Sequence, residues 1–162
     1  MDHWHRPALH WHCYAWVGGK RPEDVERRPP EPRNGGRPVW NSPVPPLEIV
    51  HWLAKSADRI SLTTAEPAET LDWLGKQLAD APGLEGDLPA ALRLDHARAF
   101  LAGYPHDVVW TYWTPGQQLR SVAAVSCPRT HNPTSEPPPP CPVGWAGGDG
   151  GGGVGWRGPG GG

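Results

Sequence analysis

The sequence changes character abruptly after Cys127, and this change limits what the chain can fold into. Proline fills positions 137–140 without interruption, and glycine dominates from Gly144 to the last residue. Such stretches offer few apolar side chains to bury, so nothing offsets the entropy lost when a chain becomes ordered. We therefore expect a single domain at residues 8–127, an N-terminal extension at residues 1–7, and a disordered Pro/Gly-rich tail at residues 128–162.

Tryptophan is expected to supply much of the core of this domain. Leu, Ile, Val and Phe are scarce, whereas the chain contains 10 Trp and carries a net charge of only −2. Each Trp can bury on the order of 200 Å² of mostly apolar surface, which compensates for missing aliphatic side chains.

Apolar patterning predicts the helices. A short helix runs from Pro46 to about Asp58, and two longer ones follow over residues 66–81 and 87–103, with proline in the first turn of each. Residues 20–45 show no apolar period and are expected to form a mobile loop inside the domain.

Alternation and turn residues predict the strands. Residues 8–17 and 60–63 have strand character, and residues 107–113 and 119–126 flank Pro115-Gly116, which suits a type II turn. We predict an α+β fold, with a three- or four-stranded sheet that ends in a β-hairpin and is covered on one face by about three helices. The strand order stays open.

Aromatic side chains of the strands suggest a surface for a protein partner. In the first strand, Trp11 and Cys13 should face the core, so that Tyr14 and Trp16 lie on the outer face. Trp110 and Trp113 have opposite parity in the hairpin, so one of them should stay accessible. Exposed aromatic clusters mark interaction sites, and the candidate binding residues are Tyr14, Trp16, Trp110 and Trp113.

Potential zinc ligands lie close to the predicted C-terminal end of the domain. Cys127, His131 and Cys141 lie in one short stretch, and a fourth ligand would come from Cys13 or from an N-terminal histidine. Cys13 completes the predicted set. His10 and His12 share a strand face and can chelate together, but the plainer interpretation is a polar face that happens to be rich in histidine. Cysteines without a metal at the domain edge are the alternative to the zinc site.

A separate metal site is conceivable at the N-terminus. In Met1-Asp2-His3, the amine, two amide nitrogens and the His3 imidazole can form a square-planar set for copper(II) or nickel(II).

Several classes of function lack support in the sequence. Phosphate-binding loops, nucleophile elbows and His-Glu-x-x-His motifs do not occur, and the loop from Lys20 to Arg37 has six basic residues against four acidic ones, too few for tight nucleic-acid binding. Neither a signal peptide nor an apolar stretch of about 18 residues is present. We expect a small cytoplasmic accessory protein that acts by binding. A zinc-stabilised module and a thiol-dependent enzyme using Cys13 or Cys127 are the alternatives.

Overall fold

The computed structural model describes residues 9–32, 34, 36, 38–103, 106–129 and 138–144. They form four strands and two α-helices: β1 (His10–Gly18), β2 (Leu62–Thr64), α1 (Pro67–Asp80), α2 (Ala90–Gly103), β3 (Val108–Trp113) and β4 (Leu119–Cys127). Three short 3₁₀ helices span Asp24–Arg27, Ile49–Ala54 and Ala57–Arg59. The predicted α+β class and the C-terminal hairpin are confirmed.

The four strands form one antiparallel sheet in the order β2-β1-β4-β3. β1 pairs with β4 along its whole length, from His10 opposite Cys127 to Gly18 opposite Leu119. The first and last strands of the domain are therefore neighbours at the centre of the sheet. Because directly paired residues share a face, this register determines which distant side chains meet.

Helices α1 and α2 cover one face of the sheet. Pro67 occupies the first turn of α1, where its missing N–H costs nothing, and the Thr64 hydroxyl accepts a hydrogen bond from the Glu66 N–H. The buried side chains of α1 belong to one core with side chains of β1, β3 and β4. This helix-side core contains Trp11, Cys13, Leu74, Leu78, Trp110, Tyr112 and Val122, and Trp11 and Cys13 thus face a core as the alternation predicts.

The opposite face is covered by the Ile49–Ala54 3₁₀ helix. Val50, Trp52 and Leu53 pack there with Tyr14 and Val125, and the rings of Tyr14 and Trp52 stack with centroids 4.6 Å apart. The helices thus divide between the two faces and do not all cover one. The helix predicted from Pro46 to Asp58 is broken at Lys55, whose backbone is extended, and Ser56 then caps the next short turn.

Two basic side chains contact the end of the long segment that precedes this 3₁₀ helix. The Arg27 guanidinium donates to the carbonyls of Pro45 and Pro46, at 2.9 and 3.1 Å. Lys55 Nζ donates to the Ser42 carbonyl at 2.6 Å and lies 3.6 Å from the centroid of the Trp40 ring. The mobility expected for residues 20–45 stays a prediction. Residues 1–7 and most of residues 128–162 lie outside the described residues.

Candidate metal centre

Four potential ligand side chains converge on the 3₁₀-helix side of the sheet, namely His10, His12, Cys127 and Cys141. His10 and His12 share a face because they lie two positions apart on β1. The β1–β4 register places Cys127 directly opposite His10, and therefore on that same face. Cys141 comes from the segment 138–144, which packs against the 3₁₀-helix-side core.

The three distances among His10, His12 and Cys141 match those of a tetrahedral zinc site. His10 Nε2 and His12 Nε2 lie 3.2 Å apart, and Cys141 Sγ lies 3.6 Å from the first and 3.5 Å from the second. With Zn–N of about 2.05 Å and Zn–S of about 2.3 Å, tetrahedral angles require about 3.3 Å between nitrogens and about 3.6 Å between nitrogen and sulfur. All four ligand atoms, including Cys127 Sγ, lie within 4.8 Å of one another.

Burial and charge also fit a divalent cation. His10, His12 and Cys127 are buried, and Cys141 is half-buried. Two thiolates and two neutral imidazoles carry a total charge of −2, so a divalent ion brings the group to zero. Neutralisation matters because an unpaired charge is costly to bury.

Thr63 holds one of the imidazoles in position. His12 pairs with Thr63 in the β1–β2 register, and His12 Nδ1 lies 2.8 Å from Thr63 Oγ1. When Nδ1 carries the proton and donates to this hydroxyl, the lone pair of Nε2 is directed at the other three ligand atoms. Such an outer hydrogen bond fixes both the tautomer and the orientation of a metal-binding histidine.

The surroundings favour neutral side chains when no metal is bound. Burial lowers the pKa of His12. The hydrogen bond with Cys141, followed by burial, raises the pKa of Cys127 well above its usual range. A metal ion must therefore displace thiol protons to bind, which makes binding dependent on pH.

An ion pair fixes the chain where it leaves β4. The Arg129 guanidinium bonds both carboxylate oxygens of Asp107, at 2.9 and 3.2 Å. One of these oxygens also accepts from the Ser126 N–H at 2.8 Å. Two-point pairing of this kind is geometrically specific, so the backbone is held on both sides of Cys127.

Cys13, which the sequence suggested as the fourth zinc ligand, is not part of this group. Adjacent residues of a strand point to opposite faces, so Cys13 lies in the helix-side core, away from its neighbour His12. Of the predicted set the structure brings together Cys127 and Cys141, whereas His131 lies outside the described residues. His3, the predicted copper or nickel ligand, also lies outside them.

The state of the Cys13 thiol differs from that of a catalytic thiolate. Burial, with a smaller contribution from Glu69, raises the pKa of Cys13 to about 12. A nucleophilic cysteine requires a lowered pKa, and the pKa of Cys127 is raised as well. Neither thiol therefore has the electrostatic surroundings expected for a thiol-dependent enzyme.

The four aromatic residues proposed for partner binding are divided between the two faces. Trp110 is buried under the helices and Tyr14 under the 3₁₀ helix, whereas Trp113 keeps 36% of its surface exposed. Trp16 is partly exposed, and the register places it on the same face as Trp113. As expected, one residue of the Trp110 and Trp113 pair stays accessible. Their role in binding stays a prediction.

Comparison with models of known protein families gives no match, and neither do comparisons with curated proteins and with solved structures. Among the helices in the parts of the chain that the structure describes, none is long and apolar enough to cross a membrane.

Proposed function

We propose that this chain is a zinc-binding protein in which His10, His12, Cys127 and Cys141 hold one structural Zn²⁺ ion. The observation that carries the proposal is the agreement of three ligand-to-ligand distances, 3.2, 3.5 and 3.6 Å, with a tetrahedral site of two nitrogens and two sulfurs.

The donor set favours zinc over other common cations. Mg²⁺ and Ca²⁺ prefer oxygen ligands, and copper(II) prefers square-planar or tetragonal geometry. Two imidazoles and two thiolates in a tetrahedral arrangement are typical of structural zinc.

A structural role follows from the closure of the site. Four side chains fill the tetrahedral coordination sphere, which leaves no position for a substrate or for a reactive water molecule. Zinc would connect the segment 138–144 to the two central strands of the sheet. Its binding energy would thereby contribute to the stability of the fold.

Metal titration with matched alanine variants tests this proposal. Wild-type protein should bind one Zn²⁺ per chain, and Co²⁺ in its place should give the visible absorption of a tetrahedral cobalt thiolate site. His10→Ala and Cys141→Ala should abolish stoichiometric binding, whereas Cys13→Ala should retain it because Cys13 lies on the other face. At free zinc 100-fold above Kd, the metal should raise the melting temperature by about 10 °C.

Two results would each contradict the proposal. One is wild-type protein that folds but binds no stoichiometric zinc. The other is Cys13→Ala that loses zinc while His10→Ala keeps it, because that result would restore the ligand set first suggested by the sequence.

A second proposal concerns Trp113, which is exposed, and Trp16, which is partly exposed on the same face of the sheet. The exposure of Trp113 on the same face as Trp16 favours an accessory protein that binds a protein partner there. Once protein partners that bind the wild-type protein have been identified, they should fail to bind a Trp16→Ala/Trp113→Ala double variant. They should still bind Val39→Ala, which is a control at another exposed apolar residue. Equal retention by both variants would exclude this surface.

A further inference from the structure

The metal centre contains two cysteines with unequal access to solvent. Cys127 is fully buried at the end of β4, whereas Cys141 is half-buried. Cys141 also lies on the wall of an open, largely apolar cleft of about 510 Å³, together with Leu53 and Pro140. A small oxidant dissolved in water can thus reach one sulfur more easily than the other.

The backbone around the two sulfurs differs in the same way. Cys127 belongs to a central strand that pairs with β1 along its length. Cys141 opens a turn in which its carbonyl accepts a hydrogen bond from the Gly144 N–H at 3.2 Å, and Gly144 has a φ of +62°. Approach of the two sulfurs therefore requires displacement of a turn and leaves the sheet in place.

We propose that peroxide oxidises Cys127 and Cys141 to a disulfide and thereby releases the zinc ion, so that the metal centre responds to oxidants. This inference rests on the zinc site proposed above. It is supported by the presence of both sulfurs in a group whose ligand atoms all lie within 4.8 Å of one another. A disulfide needs an S–S distance of about 2.05 Å, so closure requires a shift of at most about 3 Å.

The reaction proceeds in two steps. The Cys141 thiolate attacks one oxygen of hydrogen peroxide, the O–O bond breaks, and the departing hydroxide takes a proton to become water, which leaves a sulfenic acid on Cys141. The Cys127 thiolate then attacks that sulfur, the S–O bond breaks, and a second hydroxide leaves and is protonated to water. Together the two sulfurs lose two electrons, which reduce both oxygens of the peroxide. Zn²⁺ loses two of its four ligands and dissociates.

Cys13 should take no part in this reaction. It is fully buried in the helix-side core, whereas both reacting sulfurs lie on the other face of the sheet. A Cys13→Ala protein therefore keeps only the two reacting cysteines. Any disulfide within one chain of this variant must join Cys127 to Cys141.

The test uses full-length Cys13→Ala protein loaded with zinc and treated with hydrogen peroxide. Metal analysis before oxidation establishes whether zinc is bound. A chromogenic chelator then follows zinc release, and mass spectrometry of the intact protein and of its peptides follows the thiols. We expect loss of the one bound zinc ion together with loss of two hydrogens from the protein mass, and a reductant with added zinc should restore both.

The outcomes separate this inference from the zinc proposal. Protein that contains no zinc before oxidation would overturn both. Zinc that stays bound in excess peroxide would overturn the oxidative release alone. The same holds for zinc release accompanied by sulfinic acid on Cys141 without a bond to Cys127, since the disulfide would then not be the cause. If peroxide releases zinc while both cysteine thiols stay reduced, the proposal of oxidative release is overturned as well.

Discussion

Replacing Thr63 by valine tests the metal centre through a residue that touches a ligand without binding the metal itself. Valine keeps the branched shape that suits β2 and removes only the hydroxyl that lies 2.8 Å from His12 Nδ1. The four proposed ligands remain in place. A change in zinc affinity beyond any loss of stability must then come from the loss of this hydrogen bond.

The expected effect can be worked out from the geometry. Without the hydroxyl of the half-buried Thr63, the Nδ1 proton of the buried His12 loses its acceptor, and the ring is no longer held in the tautomer that directs Nε2 at the proposed metal. Outer hydrogen bonds to metal-binding histidines typically change affinity by about 10-fold to 100-fold. We therefore expect the zinc Kd to rise by about 10-fold to 100-fold, which corresponds to about 1.4–2.7 kcal/mol. The stoichiometry should stay at one.

Competition with a chromophoric chelator at constant pH measures this shift. Thr70→Val is the matched control, because the buried Thr70 hydroxyl is hydrogen-bonded as well, but to the carbonyl of Glu66, which directly precedes α1. The control should bind zinc as wild-type protein does. Denaturation of both variants without metal shows how far lost stability alone can account for a weaker affinity. A zinc Kd for Thr63→Val within about twofold of wild type would refute the reasoning.

Three further predictions concern stability. Tyr14→Phe should raise the free energy of unfolding of the zinc-free protein, measured in urea, by about 1 kcal/mol. The reason is that the buried Tyr14 hydroxyl has no hydrogen-bond partner among the described residues. A loss of stability would show that the hydroxyl has a partner. Asp107→Asn should lower the free energy of unfolding by about 2 kcal/mol, because it weakens the paired contact with Arg129, and an unchanged urea midpoint would contradict this. The pKa of His12 is lowered by burial from its usual 6.5, so its contribution to stability without zinc should be complete above pH 6.5 and decline as the pH falls below it. Urea midpoints between pH 7.5 and 5.5 measure this decline in stability. The decline should be smaller in His12→Gln, and an equally steep decline in that variant would show that another group causes it.

Local patterning predicted the regular elements well. Prolines in the first turn and apolar spacing indicate α1 and α2, and the structure forms both helices at Pro67–Asp80 and Ala90–Gly103. The Ile49–Ala54 segment was harder to predict, because the spacing of Val50 and Leu53 suits a 3₁₀ helix as well as an α-helix. Over so few residues, apolar spacing does not distinguish an α-helix from a 3₁₀ helix, because the two have similar numbers of residues per turn.

The candidate ligand set depends on the pairing of strands that are distant in the sequence, and no local sequence pattern contains this pairing. Strand parity shows that His10 and His12 share a face and that Cys13 does not, and this signal argued against Cys13 as the fourth ligand. What the sequence does not contain is the pairing of β1 with β4, which brings Cys127 beside His10. In the candidate ligand group of the described residues, β1 therefore contributes His10 and His12.

The same long-range register distinguishes this site from a local zinc finger, whose ligands lie within one short segment and can bind metal as that segment folds. Here two candidate ligands lie on the first strand, one lies at the end of the last strand and one follows it, so the site cannot assemble before β1 and β4 pair. The proposed zinc binding would therefore be coupled to completion of the whole sheet. Because a ligand stabilises only the state that binds it, zinc should act on global unfolding. Loss of Cys141 from the proposed coordination sphere should then weaken the contact of the segment 138–144 with the domain. It should also lower the stability of the two central strands, because they carry the other three proposed ligands.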